Sequence, residues 1–382
     1  MPEARYKRCD PGELMTATTT IHPDSSIVDI AATIEKEEHR FLEEIFLASI
    51  ESAGVRGRLL LPGLPSQRPS LNAMLMAAYS SGKSTIMQGI SEKLINICDD
   101  ATFPGVVGTI TRDGQLLKGA AAMSGGKVLA IDEAQRLSME TVEALKGLVE
   151  NGRTLRALGY GIEGQLRTYR SKHFSMKPLP TRNGFVVNWQ GAMWLMGEYV
   201  PPHFRGGWLS RFINLSFSTE KEDIYRLTKG HGMLDLSCAK GTTWGQGCRK
   251  EEEFDMPIPN YHESVCDPFM RLIEDHRYFE RINNQNYGLI PRMLFNIVRL
   301  QAHYMRTGKT ADNAATRALK YSDAFMYGAM RGLFTMNQLK AFDSVLNGAD
   351  TINDLIKTTG LHELTVRRIV NDLVNLGIVV KR

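Results

Sequence analysis

The sequence predicts an α/β core built on a parallel sheet flanked by helices, with an α-helical lid domain behind it and a small C-terminal domain of winged-helix outline. Three observations carry that prediction. Leu71 to Ala77 is a short apolar run that passes through a small-residue loop into GKST, Gly82 to Thr85. Val128 to Ile131 is a second unbroken apolar run, as expected of a parallel strand covered on both faces, and it ends in two acids, Asp132 and Glu133. Beyond Ser218 the apolar residues change to helical spacing.

The first run and its loop have the composition of a phosphate cradle. In the pattern GxxxxGK[ST] the backbone N–H groups of a tight loop turn inward on a polyphosphate. Ala77 stands where that pattern has its first Gly, while Ser80, Ser81 and Gly82 keep the loop small. Lys83 is placed to reach the β and γ oxygens and the Ser84 hydroxyl to ligate Mg²⁺; Thr85 follows in a helix expected to run through Ile86 to Ile97. A GK[ST] tripeptide alone is weak, and the second run, KVLAIDE, decides the reading. There Asp132 would hold Mg²⁺ through its water shell, and Glu133 would orient and deprotonate the attacking water at the γ-phosphate. ATP and Mg²⁺ are therefore the expected cofactors.

At 382 residues the chain is long enough for two or three domains. Its 43% hydrophobic and 23% charged residues are an ordinary soluble balance. The net charge is only +4, so any nucleic-acid contact must come from local clustering. No apolar run approaches the ~20 residues of a membrane span, and the N-terminus has no signal-like apolar core. A cytoplasmic location is expected, nucleoid-associated if the source is prokaryotic or viral. The five cysteines are an odd number without a secretory signal, which argues against a disulfide framework. Cys238, Cys248, His262 and Cys266 lack a CxxC knuckle and read as ordinary residues rather than a zinc site.

Taken in order, Met1 to Asp24 is polar and reads as a loose arm, and Ser25 to Ala53 as helix. Val106 to Arg112 reads as a strand, and TRDGQLLKG as a hairpin turning at Asp113-Gly114, with Lys118 a candidate DNA contact. Ser138 caps a helix to Glu150 with Val142, Leu145 and Leu148 on one face, ended by Asn151-Gly152. Gly184 to Trp189, Ala192 to Met196 and Ile213 to Phe217 read as strands. The nucleotide-binding core thus spans 25–218 and the lid 219–335. In the lid, Glu220 to Thr228, Asp267 to Arg277, Pro291 to Arg306 and Ala311 to Leu333 read as helices, with a Gly- and Lys-rich connection up to Pro259 to which no element is assigned.

Gly152 to Asn183 stands apart as a basic insert. It holds Arg153, Arg156, Arg167, Arg170, Lys172, Lys177 and Arg182 against one acid, Glu163, with Tyr160, Tyr169 and Phe174 interleaved. Cations neutralise phosphates and aromatic faces stack on bases or sugars, so DNA, as single strand or duplex, is the expected partner of this segment. The last domain, 336–382, shows three amphipathic helices and the strand Ile378 to Lys381. Arg367 and Arg368 lie where a recognition helix would reach a groove. Its charges nearly cancel and the chain stops where a wing should turn back, so both DNA reading and protein docking fit.

Together these residues resemble the AAA+ ATPase part of the minichromosome maintenance helicases, from about Ser25 to the C-terminus. TITRDGQLLKGAAAMSGGKVLAIDE is similar to the family's first channel hairpin leading into Walker B, and RTLRALGYGI to the lead into its second. GWLSRF matches the family's LSRF element, which implies that Arg211 is an arginine finger acting on a neighbouring subunit's nucleotide. IPRMLFNIVRLQAHYM is similar to the sensor 2 helix, which implies that Arg292 meets the γ-phosphate from the lid. The resemblance further implies a homo-oligomer, expected as a hexameric ring. WLMGEY offers Gly197 and Glu198 where the family has the Asn of sensor 1, and only Met1 to Ser70 precede the first strand, so a relative lacking the family's N-terminal domain is expected. A DNA-dependent ATP-hydrolysing motor, a helicase or translocase, is the leading expectation. An ATP-controlled DNA-binding switch without processive unwinding is the alternative, and a protein remodeller is disfavoured by the basic insert.

Overall fold

The computed structural model describes residues 27–30, 38–77, 83–88, 90, 93–99, 101–158, 168–179, 184–201, 204, 206–217, 253–275, 289–322, 328, 331–376 and 378–381. It divides into two compact units, Glu38–Met270 with Gly288–Gly332, and Met1–Glu37 with Arg271–Tyr287 and Leu333–Arg382. The elements in chain order are β1 (Ile27–Ile30), α1 (Glu38–Ala53), β2 (Arg56–Leu60), β3 (Ala73–Ala77), α2 (Lys83–Gln88), β4 (Ile95–Cys98), α3 (Phe103–Val107), β5 (Gly108–Ile110), β6 (Leu116–Lys118), α4 (Ala120–Met123) and β7 (Val128–Ile131). There follow α5 (Met139–Asn151), β8 (Arg153–Ala157), β9 (Tyr169–Arg170), β10 (Phe174–Pro178), β11 (Gly184–Trp189), β12 (Ala192–Gly197), β13 (Ile213–Phe217) and β14 (Glu253–Pro257). Helices α6 (Asp267–Asp275), α7 (Leu289–Arg306), α8 (Ala311–Leu319), α9 (Met336–Leu346), α10 (Ile352–Thr359) and α11 (Glu363–Asn375) precede the last strand, β15 (Val379–Lys381).

The larger unit is α/β, organised on a five-stranded sheet in the order β13-β3-β12-β7-β4, parallel throughout. Every residue of β3, β7 and β12 is buried, which is why these strands read as unbroken apolar runs rather than alternating ones. Helix α1 packs on this sheet: Phe46 meets Trp194 with ring centroids 4.4 Å apart, and Ser49 Oγ accepts from Trp194 Nε1 at 2.7 Å while donating to the Leu71 carbonyl at 2.6 Å. Asn72 fixes the start of β3 against its neighbours, its Oδ1 accepting from Met193 N at 2.9 Å and its carbonyl from Ile213 N at 2.8 Å.

Several sequence expectations change here. The cradle helix does not continue to Ile97: α2 ends at Gln88, and Ile95–Cys98 is the edge strand β4, parallel to β7. An INIC tetrad with β-branched residues at alternate positions suits a strand, and the unpaired edge of β7 supplies its partner. Val106 and Val107 belong to α3, whose first turn holds Pro104 and whose N-cap Thr102 accepts from Gly105 N, so the strand starts only at Gly108. The hairpin at Asp113-Gly114 forms as expected, with Gly114 at φ 83°. The basic insert contributes three strands, and together with β11 they form an antiparallel sheet in the order β8-β11-β10-β9. Within the Gly- and Lys-rich connection, β14 pairs in parallel with β2. Glu220 to Thr228 lies outside the described residues.

Helix α5 obeys its sequence signals closely. Ser138 accepts from Thr141 N at 3.2 Å, and the helix ends at Gly152 in the left-handed conformation, φ 65°. A Cβ at Gly152 would lie 2.7 Å from the Trp189 carbonyl, so both backbone conformation and space require glycine.

The smaller unit holds α9, α10 and α11, with Val366, Ile369, Val370 and Leu373 of α11 buried. Thr335 and Gln338 form a reciprocal capping box at α9, and Thr351 caps α10. Ile27–Ile30, expected as helix, is instead a strand: β1 runs antiparallel to β15 with Ile27 opposite Lys381 and Val28 opposite Val380. The C-terminal strand thus gains a partner from the opposite end of the chain, and the helix expected from Ser25 starts at Glu38.

Candidate functional site

The C-terminal ends of β3, β12 and β7 lie side by side, and open parallel sheets place ligands at such ends. Lys83 opens α2 with only 7% of its surface exposed, and its Nζ donates to the Ala77 carbonyl at 2.7 Å. Burial pulls the Lys83 ammonium below the usual lysine range, and the carboxylates of Glu198, Asp132 and Glu133 oppose that pull. Ser84 Oγ donates to Asp132 Oδ2 at 2.6 Å, and Asp132 Oδ1 accepts from Glu133 N at 2.9 Å. Ser80, Ser81 and Gly82 lie outside the described residues, as does the side chain of Thr85.

Glu133 has φ 52°, left-handed for a residue with a Cβ, where the chain leaves β7 for a short 3₁₀ turn at Ala134–Arg136. Such backbone costs of order 1–3 kcal/mol and persists where surrounding contacts fix it. Here Gln135 Nε2 donates to Glu133 Oε2 at 2.6 Å and Arg136 Nε lies 3.4 Å from the same oxygen. Gln135 also accepts from Glu198 N at 3.4 Å, and a Cβ on Gly197 would lie 2.5 Å from Gln135 Oε1. Gln135 therefore ties the end of β12 to the acid at the end of β7. Nothing in the sequence marks Gln135 beyond its position two residues after the acid pair.

The donor set fits a hard divalent cation. Ser84 supplies a hydroxyl oxygen and Asp132 a carboxylate oxygen within one hydrogen bond of each other, a pairing suited to Mg²⁺ that keeps waters and takes its remaining ligands from phosphate. Among the described residues no group of three or more His, Cys, Asp and Glu side chains could hold a metal by itself.

A second cluster forms around Glu150 in the last turn of α5. Arg211, closing a 3₁₀ turn at Gly206–Arg211, places Nη2 2.7 Å from Glu150 Oε2, and Arg292 of α7 places Nη2 3.4 Å from Oε1. Burial and the Arg211 charge hold Arg292 below the usual arginine range, with Glu150 opposing. Beneath them Arg68 donates to the Leu148 carbonyl at 2.6 Å and reaches those of Trp189 and Gly191 at 3.4 Å, while Arg299 donates to the Arg68 carbonyl at 2.9 Å. Desolvation brings both guanidiniums down to about 10, and the Arg299 charge adds to the effect on Arg68. These side chains line a cleft of about 530 Å³. Because Gly191 precedes β12 and Gly197 ends it, this cleft and the Lys83 site lie at opposite ends of a strand of about 20 Å. Arg211 and Arg292 stand out in the sequence by the motifs around them, whereas Glu150, Arg68 and Arg299 look like ordinary charges on an amphipathic helix or a loop.

The candidate DNA contacts fall in several environments. Lys118 Nζ lies 4.2 Å from the Tyr169 ring centroid, joining the β5–β6 hairpin to the antiparallel sheet. Arg153 and Arg170 are exposed, whereas Arg156 is half-buried with its guanidinium 4.1 Å from the Phe103 ring centroid. The Lys172 carbonyl accepts from Arg56, and Arg167 lies outside the described residues. In the smaller unit Arg368 is exposed, and Arg367 is paired with Glu363 one turn away at 2.7 Å. No helix among the described residues is long and apolar enough to cross a membrane. Compared with known protein families and with curated proteins, the chain matches none.

Proposed function

We propose that the chain is an ATP-hydrolysing motor of the AAA+ kind, acting on DNA as a ring of identical subunits, with a winged helix in its smaller unit. One observation carries the reading: a lysine and a serine opening a helix after one buried strand converge on two acids ending another, with Ser84 and Asp132 2.6 Å apart. In this reading Lys83 and the loop before it hold the phosphate chain. Ser84 and Asp132 hold Mg²⁺, which when bound screens the phosphate charge. Glu133 takes the proton of the attacking water.

Arg211 and Arg292 share one carboxylate at the far end of the sheet, which supports their serving a neighbour's nucleotide rather than their own. Arginines held beside a partner's γ-phosphate make turnover depend on assembly. The test is subunit mixing: Arg211→Ala and Lys83→Ala should each be inactive, and mixtures should regain part of the activity, since one supplies a sound cradle and the other sound arginines. Mixtures that stay inactive at every ratio would count against a shared site.

A second reading, an ATP-controlled DNA-binding switch, is favoured by the engagement of Glu133 with Gln135 and Arg136, which restrains the acid that must accept a proton. Strand displacement on a forked duplex with and without ATP separates motor from switch.

A further inference from the structure

The antiparallel sheet sorts the cations of the basic insert by face. Residues paired across antiparallel strands project to the same side, so Arg153, Asn188, Ser175 and Arg170, in register across β8, β11, β10 and β9, form one transverse row. At its middle Asn188 Nδ2 donates to Ser175 Oγ at 3.1 Å. Two residues along, Leu155, Val186 and Lys177 form a second row on that side. Arg153, Arg170, Lys177 and Leu155 are exposed, Asn188 and Ser175 half-buried, and none of the four strands contains an acid. The opposite side is interior: Phe174, Met176, Phe185 and Val187 are at most 2% exposed, and Arg156 projects there onto Phe103, its Nη1 buried with no hydrogen-bond partner among the described residues.

We propose that the exposed face of this sheet seats the phosphodiester backbone of nucleic acid, with Arg153, Lys177 and Arg170 each neutralising a phosphate and Asn188 and Ser175 donating to the oxygens between them. The inference rests on the DNA part of the proposed function and specifies its surface. Strands about 4.8 Å apart put Arg153 and Arg170 about 14 Å from each other, so the cations form a spread track rather than one point site. Among the described residues of the four strands none places an aromatic ring on this face: Tyr169 pairs with Met176 on the opposite side and is covered by Lys118. These strands therefore offer cations and polar groups rather than rings, and binding should follow the backbone rather than the sequence.

The test measures anisotropy of fluorescein-labelled oligothymidylate and of a mixed-sequence duplex with the full chain, across about 50 to 200 mM salt. Replacing Arg153, Arg170 and Lys177 together by Gln should flatten the slope of log affinity against log salt by about two to three units, since each phosphate contact contributes about 0.9 for duplex and 0.7 for single strands. Arg156→Gln should leave the slope alone and lower Tm instead. A wild-type chain that binds while the triple variant keeps its slope overturns the assignment of this face and leaves DNA binding standing. The assignment fails in the same way if Arg156→Gln flattens the slope as much as the triple variant. A wild-type chain with no salt-dependent binding to either probe overturns both this inference and the DNA reading.

Discussion

Ser84 Oγ and Asp132 Oδ2 are 2.6 Å apart although 48 residues separate them in the chain. The parallel sheet makes this contact possible, since β3 and β7 flank β12 and all three release their next residues at one edge. The site is thus a property of strand order, and the proposed reading gives its members separable duties.

Removing the cation and removing the base should therefore fail differently. Lys83→Ala should weaken ATP binding by tenfold or more, as about 1.4 kcal/mol of phosphate contact is enough for that factor. Glu133→Gln should bind ATP as the native chain does and lose about 10²–10⁴ in turnover, the usual contribution of a general base. Fluorescent-nucleotide titration beside phosphate release separates the two, and equal loss of affinity in both variants would rule out this division.

The parts of this arrangement that were legible in the sequence are those fixed by local chemistry. Val128 to Ile131 read as a buried strand because all four residues are apolar, Asp113-Gly114 as a turn, Ser138 as a cap and Gly152 as a stop. The rest depended on distant partners. Ile95 to Cys98 has a pattern that a helix or a strand could satisfy, and only the free edge of β7 decides it. Ile27 to Ile30 becomes a strand because residues more than 300 positions later offer an unpaired edge. Glu150 lies on the polar side of an amphipathic helix, and nothing local marks it as the point where two arginines meet.

Gln135 should be a positioning residue, and Gly197 the test of it. A methyl at position 197 would lie 2.5 Å from Gln135 Oε1, the far end of a flexible side chain, so Gly197→Ala should displace Gln135 at a stability cost under about 1.5 kcal/mol. Displaced, Gln135 no longer orients Glu133. Turnover should fall about tenfold with ATP affinity unchanged, and Gln135→Ala should behave alike. Unchanged kcat in both variants would remove Gln135 from the mechanism.

Glu150→Gln should act on the arginines it holds. Without the carboxylate, Arg211 and Arg292 repel each other and lose their common anchor, so turnover should drop about tenfold while nucleotide binding in the same chain stays intact. Mixing Glu150→Gln with Lys83→Ala should restore activity as Arg211→Ala does. A variant that instead loses its own ATP affinity would place Glu150 in the cradle.

The pairing of β1 with β15 makes a prediction that needs no ligand. Three residues of β15 make a short strand, and a lone strand with one unpaired edge gains little from propensity. Its protection should come from β1, which supplies the antiparallel partner for Val379, Val380 and Lys381. Deleting residues 1–30 removes that partner but leaves α9, α10 and α11 with their caps and with Val366, Ile369, Val370 and Leu373 still packed. Backbone amides of Val379 to Lys381 should then exchange with deuterium at least tenfold faster, while those in the middle of α11 change little. Slow exchange at β15 in the truncated chain would mean that another element holds this strand, and the pairing of the two ends would have to be abandoned.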